Sequence, residues 1–286
     1  MTTSTLPMGA APSRTVSPGT QAVRLAARSL RDRWRSLLAW GLGVVGIAAI
    51  QLAIYPSVSK SSAALQEYLD QFPEAFREAF GMENYASGTG FLNAELFSMV
   101  VPLVMVAVAL GAAAAATAGE EERGTLELLL SLPVRRWGVL GAKTAAMVLG
   151  VAIVSTALFV TIVVGAPMVD LDASTSGVLA ATVMSALLGL LFGGVGLLLG
   201  ALTGHRAVAI GAGMGLALAA FLLQALAPMA DWLEPWQKVS PFHWALAGRP
   251  LENGLGLGYA ALLLGITVLL VLLAGVAFER RDISTR

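Results

Sequence analysis

Six long runs of apolar residues recur along the chain, and polar or proline-containing segments separate them. A helix that rises 1.5 Å per residue needs about 20 mostly apolar residues to cross a hydrocarbon layer of about 30 Å. None of the runs alternates between apolar and polar residues as the strands of a membrane barrel do. The pattern therefore predicts six transmembrane helices, at about residues 37–55, 96–118, 139–165, 177–203, 207–228 and 255–278.

The composition agrees with a lipid bilayer as the solvent of this chain. Of the 286 residues, 57% are hydrophobic and only 13% are charged, whereas soluble domains carry about 25% charged residues. The mean hydropathy is +0.77. The absence of cysteine excludes a disulfide framework, a thiolate metal site and a cysteine nucleophile. We predict an all-α membrane protein built as a six-transmembrane-helix bundle.

Basic residues are distributed unequally between the two sides of the predicted bundle. Of the 18 Lys and Arg residues, all but Lys60, Arg77, Lys238 and Arg249 fall in or next to the N-terminal segment, the loops after the second and fourth spans, or the C-terminus. The positive-inside rule then places both termini in the cytoplasm. Two termini on one side require an even number of spans, which agrees with six.

Two segments precede the predicted six-span domain of residues 37–286. Residues 1–22 are rich in Thr, Ser, Pro, Gly and Ala and lack the apolar stretch of a signal peptide, so we expect a disordered cytoplasmic tail. In residues 23–36, Val23, Leu30 and Trp34 lie near one helical face and the arginines lie largely elsewhere. This pattern predicts an interfacial amphipathic helix on the cytoplasmic leaflet. A solvated extension of the first span is the alternative.

Two segments on the outer side are too polar to cross a membrane. In residues 56–95, apolar residues recur at helical spacing, and Pro73 is expected to interrupt the helix or to start a second one. We expect this segment to form an outer cap, with substrate binding as the alternative. Residues 229–253 are predicted to form short re-entrant or amphipathic helices. Four aromatic residues of this segment suit the membrane–water interface, namely Trp232, Trp236, Phe242 and Trp244.

The cytoplasmic loop between the second and third predicted spans carries the most informative pattern, in residues 119–143. Its three consecutive glutamates cannot lie in hydrocarbon, so the second span has to end there. Gly124 interrupts the helix, and Thr125 is a suitable N-cap for a new one. Pro133 ends this short helix before the third span begins.

One face of the short helix is apolar. Leu126, Leu129 and Leu130 share this face, and Glu127 lies in the first turn, where a negative charge interacts favourably with the helix dipole. Arg135 follows at the bilayer surface. An apolar face held between two spans indicates a partner surface. A helix that folds back on the cytoplasmic surface of its own chain is the alternative.

The sequence of this loop, GEEERGTLELLLSLPVRRWGVLGAK, resembles that of the ABC-2 type permease family, above all of its bacterial six-span members. The resemblance extends to the six-span pattern, to GFLNAELF at residues 90–97 and to SPFHW at residues 240–244. It implies a permease subunit in the bacterial cytoplasmic membrane. In that family the short cytoplasmic helix is a coupling helix, which docks into a cleft on a separate ATP-binding subunit.

The resemblance also implies an assembly and a set of site residues. Two permease copies, expected as a homodimer in the lipid bilayer, and two ATP-binding subunits would form an exporter for efflux. The partner binds ATP and magnesium, whereas this chain is expected to hold no cofactor and to bind no nucleic acid. In the 119–137 loop, the residues assigned to coupling by resemblance are Glu120, Glu121, Glu122, Arg123, Gly124, Thr125, Leu126, Glu127, Leu130, Pro133 and Arg135. Pro133 and Arg135 would fix the geometry at the membrane surface.

Other functional classes find less support in the sequence. Residues 138–144, GVLGAKT, lack the spacing of a P-loop, so the chain should not bind ATP itself and is not expected to be an enzyme. His205 and His243 fall on opposite sides of the predicted membrane and cannot share a site. An ion-coupled secondary transporter would need ionisable residues inside its spans. That carrier and a non-transporting scaffold are the alternatives, and an apolar pathway suits a hydrophobic or amphiphilic cargo.

Polar and small residues inside the predicted spans are few enough to name. Gln51 and Gln224 are the main polar side chains, and Lys143 lies near the inner edge of the third span. Glycines at four-residue spacing allow helices to approach closely, either within one bundle or at a subunit interface. These pairs are Gly189/Gly193, Gly196/Gly200, Gly200/Gly204 and Gly211/Gly215.

Overall fold

The computed structural model describes residues 33–79, 81, 82, 84–116 and 136–280, with the single positions 27 and 31. All regular structure in these described residues is helical. Six helices are long and apolar enough to cross a membrane, which confirms the predicted six-span architecture. They are span 1 (Trp34–Lys60), span 2 (Gly88–Ala116), span 3 (Trp137–Val169), span 4 (Thr175–Thr203), span 5 (Arg206–Met229) and span 6 (Leu257–Arg280).

Three of the spans contain a change of helix type. Span 2 consists of an α-helix at Gly88–Leu92, a π-helix at Asn93–Phe97 and an α-helix at Val100–Ala116. Span 3 is an α-helix at Arg136–Gly165 that ends in a 3₁₀ turn at Ala166–Val169. Span 5 is an α-helix at Arg206–Leu226 with a similar turn at Ala227–Met229.

Short helices fill the two long connections. Between spans 1 and 2 the helices are Ser62–Leu69 and Glu74–Ala79. Pro73 directly precedes the second helix, which agrees with the prediction that a second helix would start there, and its carbonyl oxygen accepts from the amides of Phe76 and Arg77. Between spans 5 and 6 the helices are Glu234–Gln237, Pro241–Leu246 and Pro250–Asn253. The short helices of this second connection were predicted, and their entry into the outer leaflet stays a prediction.

Local sequence explains where spans 4 and 5 begin and end. Ser174 is the N-cap of span 4, and its hydroxyl accepts a hydrogen bond from the Gly177 amide at 3.1 Å. Gly204 ends the same span with φ +68°, a left-handed conformation that glycine adopts without a steric penalty. A single left-handed residue therefore reverses the chain between two long helices.

Span 4 is the central helix of the bundle. It packs against spans 2, 3, 5 and 6, with its most extensive contacts to spans 2 and 6. Span 1 lies at the edge and packs mainly against span 3. The chain crosses the bundle six times, so the beginning of span 1 and the end of span 6 lie at the same end of the bundle. We name this end, which holds Trp34 and Arg280, the terminal end. The opposite end, named the loop end, carries residues 61–87 and 230–256.

Glycines allow the central helix to approach its neighbours. A Cβ on Gly189 would lie 2.6 Å from the Met105 carbonyl oxygen of span 2, and one on Gly193 would lie 2.5 Å from the sulfur of Met147 in span 3. Two of the predicted small-residue positions behave differently. Gly211 and Gly215 of span 5 have no neighbouring atom within 4 Å of such a Cβ in the described chain.

Candidate functional site at the terminal ends of spans 2 and 3

The predicted coupling segment joins spans 2 and 3 at the terminal end. The residues assigned to coupling, from Glu120 to Arg135, lie outside the described residues, and their assigned roles stay predictions. The structure describes the helices on either side of them. The described part of span 2 extends to Ala116, and the described part of the next helix begins at Arg136.

Lys143 ties these two helices together. Its side chain is only 5% exposed, and its ammonium group donates a hydrogen bond to the carbonyl oxygen of Ala116. A buried ammonium group needs such an acceptor, because an unpaired charge is costly away from water. Lys143 therefore links span 3 to span 2 close to the point where the described part of span 2 ends. The sequence predicted Lys143 near this edge but gave it no partner.

Trp137 fixes the beginning of span 3 against span 6. Its ring lies directly against Gly275, where any side chain would overlap carbon atoms of the indole. Because glycine leaves the backbone of span 6 bare at this point, a flat aromatic ring can pack on it. Span 3 is thus held by span 6 at its first turn and by span 2 two turns later.

A compact apolar cluster lies beneath these contacts. It joins residues of spans 2, 3, 4 and 6 and contains Ala112, Ala113, Leu140, Met147, Leu197, Ala201, Ala274 and Phe278. Side chains in such a core interdigitate at high density and transmit displacement between helices. The described helices on either side of the predicted coupling segment therefore belong to a packed four-helix base.

Side chains that could bind a metal ion do not cluster in the described part of the chain. Within the described residues, no group of three or more His, Asp or Glu side chains could hold a metal ion. His205 and His243 lie beyond opposite ends of the helix Arg206–Leu226. A catalytic site needs several polar groups converging on one point, and these two histidines do not converge.

A second polar cluster, at the loop end, was not predicted from the sequence. Glu95 of span 2 accepts hydrogen bonds from Gln51 of span 1 and Tyr85 of the preceding connection. The apolar run begins at Leu96, so hydropathy predicts Glu95 to lie just outside the second span. Residues 88–97 are helical and continuous with the rest of span 2. This continuity would have shown that Glu95 belongs to the span, but hydropathy alone does not detect it.

A comparison with protein families identifies this architecture. The family model described as ABC-2 family transporter protein matches residues 23–283, which include all six spans and the segment between spans 2 and 3. No curated protein matches the chain. Together with the six apolar helices, the match over nearly the whole sequence shows that the chain is a multi-pass membrane protein that belongs to the ABC-2 transporter family.

Proposed function

We propose that this chain is the permease subunit of an ATP-driven exporter in the bacterial cytoplasmic membrane. Two copies form the translocation pathway as a homodimer, and two separate ATP-binding subunits hydrolyse ATP with magnesium. The observation that carries the proposal is the family match over residues 23–283, which spans the bundle and the predicted coupling segment alike.

The coupling segment is the element through which we propose that ATP hydrolysis moves the bundle. Its Leu126 and Leu130 face enters a cleft on the ATP-binding subunit, and Glu120, Glu121 and Glu127 contact the rim of that cleft. The anchoring of Ala116 by Lys143 supports this proposal, because a segment that transmits movement needs fixed ends. Pro133 and Arg135 hold the segment at the membrane surface.

A pathway between two copies fits the packing of the single chain. Span 4 occupies the centre of the bundle and contacts four other spans, so helix rather than channel fills the middle of one copy. Spans 1, 5 and 6 leave most of their apolar surface outward. Some of this surface contacts lipid, and we propose that the rest contacts the second copy. The excess of basic residues predicted for the terminal end supports our proposal that both termini lie in the cytoplasm.

The experiment is co-expression of the tagged chain with candidate ATP-binding subunits from the same source, followed by purification through the tag. We expect a stable complex with vanadate-sensitive ATPase activity. The double variant Glu121→Ala/Leu126→Asp places a charge on the apolar face and removes one of the rim carboxylates. A central contact of an interface is worth 2 kcal/mol or more, so recovery of the complex should fall by about tenfold or more.

The matched control is Glu234→Ala/Val239→Asp, which makes the same two types of change at exposed positions of the loop end. This control should leave the complex and its activity unchanged. If the chain purifies alone in the presence of every candidate subunit, the proposal fails. Equal loss in both double variants would place the effect in folding and would remove the coupling segment from the proposal.

A further inference from the structure

Glu95 is an ionisable residue inside a membrane span. It lies seven residues from Gly88, the first residue of span 2, which corresponds to about 10 Å along a helix. Charged side chains at such a depth are costly and are usually paired. Within the described residues, however, no Lys or Arg lies within ion-pair distance of its carboxylate. Its two hydrogen-bond donors are both neutral groups.

The two carboxylate oxygens are shared between two other segments. The Gln51 side-chain amide of span 1 donates to Oε2 at 3.1 Å, and the Tyr85 hydroxyl donates to Oε1 at 2.6 Å. The shorter distance is in the range of charge-assisted O–H···O bonds, which are about twice as strong as neutral ones. Burial, and then the bond to Glu95 and its negative charge, raise the pKa of Tyr85, so the phenol stays a donor.

The backbone around Glu95 is shaped to direct its side chain. Residues Asn93–Phe97 form a π-helix, closed by a hydrogen bond from the Ser98 amide to the Asn93 carbonyl at 2.8 Å. Leu96 and Phe97, the two residues that follow Glu95 in this π-helix, are almost fully buried. Single π-turns inside α-helices often occur at functional sites, because the extra residue rotates the side chains on one face.

The turn that carries Tyr85 is itself held against span 2. The Asn93 side-chain amide donates to the carbonyl oxygen of Gly81 at 3.3 Å, and Gly81 has φ +65°. Gly90 lies directly against the Asn84 carbonyl group, with no room for a side chain. Tyr85 and Tyr55 of span 1 pack on the ring of Phe91, with ring centroids 5.6 and 5.3 Å apart.

We propose that Gln51, Tyr85 and Glu95 form a latch that holds spans 1 and 2 and the 84–87 turn together and closes the core between them to water at the loop end. Glu95 is the positioning residue, because its carboxylate offers each donor a separate acceptor oxygen. The inference deepens the proposed function, since spans 1 and 2 of each copy would have to separate at the loop end when the pathway between the two copies opens. Release of the latch is then a step of transport.

The test uses the absence of native cysteine. The variant Ala48→Cys places a single thiol at a fully buried position in the core shared by spans 1, 2 and 3. Its reaction with a membrane-impermeant maleimide is followed in the purified chain in lipid nanodiscs. Glu95→Gln and Tyr85→Phe should each raise the labelling rate by about tenfold, since each weakens a hydrogen bond to a charged group. In the double variant Glu95→Gln/Tyr85→Phe, the labelling rate should exceed that of Glu95→Gln by less than about twofold, since both changes act on one network.

Two controls separate a latch from general destabilisation. The ring of Tyr55 packs on the same Phe91 ring, and its hydroxyl has no hydrogen bond within the described residues. The variant Tyr55→Phe should therefore leave the labelling rate unchanged. A second reporter, Ala274→Cys, lies fully buried at the terminal end. The latch variants should not raise its labelling.

The proposal is overturned if Glu95→Gln leaves the thiol at position 48 protected, or if it exposes both reporters equally. The measurement requires no ATP-binding subunit, so failure of the proposed function and failure of the latch are distinguishable. In the assembled complex, ATP and vanadate should raise the labelling of position 48 in the otherwise unchanged chain. Equal labelling with and without ATP would remove the latch from the transport cycle.

Discussion

Most polar side chains inside the spans satisfy their hydrogen bonds on their own helix. The buried hydroxyls of Thr182, Ser185 and Thr267 donate to the carbonyl oxygen four residues earlier, at 2.7 to 2.9 Å. Such residues disturb an apolar span little. Lys143 and Glu95 differ, because each reaches a partner on another segment. Residues of this type connect spans, and they lie at the two ends of the bundle where movement would begin.

His243 gives the loop end a dependence on pH. Its ring lies edge-on to Tyr259, with centroids 6.0 Å apart, and burial and then the charge of Lys238 lower its pKa below the ordinary value of about 6.5. As the pH falls, the unfolded chain therefore binds this proton before the folded chain does. Stability is then lost as the pH drops below about 6.5. The thermal unfolding midpoint in detergent, measured at pH 7.5 and 5.5, should fall on acidification.

In the variant His243→Gln, the thermal unfolding midpoint should fall less between pH 7.5 and 5.5. In the control His205→Gln, at an exposed position of the terminal end, the midpoint should fall as in the unsubstituted chain. Equal acid sensitivity of the unsubstituted chain and the His243 variant would show that other groups control the pH dependence.

At the scale of elements, hydropathy predicted the number of spans but not the beginning of span 2. The run of apolar residues starts at Leu96, whereas the helix starts at Gly88. The polar residues Asn93 and Glu95 remain in the helix because their hydrogen-bond partners lie in other segments, where a sequence window cannot see them. The break at Pro73 was predicted because its cause is local.

The close contact between spans 2 and 4 yields a stability prediction. Gly189→Ala would bring a methyl group to within 2.6 Å of the Met105 backbone oxygen, so the helices have to separate. Overpacking of this kind costs about 1–3 kcal/mol, and the thermal unfolding midpoint should fall. The control is Gly111→Ala in span 2, where a Cβ meets open space and alanine favours the helix. A similar midpoint for both variants would contradict the tight packing of these two spans.

At the scale of the whole molecule, the pattern of apolar runs was sufficient to predict a membrane protein with six spans. The ATP-binding partner was indicated by resemblance to a known family and not by the pattern. Periodicity left open whether the Leu126 and Leu130 face meets an ATP-binding subunit or the chain itself. The anchoring of the segment's ends by Lys143 and Trp137 needed the structure, because both contacts join distant parts of the sequence. Which outward surface meets the second copy is a property of the assembly.

The open glycine pair of span 5 provides a prediction about that assembly. Gly211 and Gly215 form a small-residue pair with no neighbour in the described chain, whereas Gly189 and Gly193 are covered by spans 2 and 3. If span 5 meets its counterpart in the second copy, Gly211→Leu/Gly215→Leu should weaken the dimer by about tenfold, from an overpacking cost of about 1–3 kcal/mol. The dimer fraction is measured in nanodiscs by single-particle mass determination.

The control for this variant is Gly265→Leu, an equally open position of span 6 without a second glycine four residues away. The control should dimerise like the unsubstituted chain. An unchanged dimer in the double variant would exclude the open glycine face of span 5 from the subunit contact.

The bond from Lys143 to the end of span 2 has a mechanical consequence. A connection between two helices normally absorbs part of an applied force by bending at its hinges. Here a carbonyl group of span 2, at Ala116, is bonded to span 3, and span 3 is also wedged against Gly275 of span 6. A displacement that reaches Trp137 would therefore be delivered to three helices together, with little bending between them.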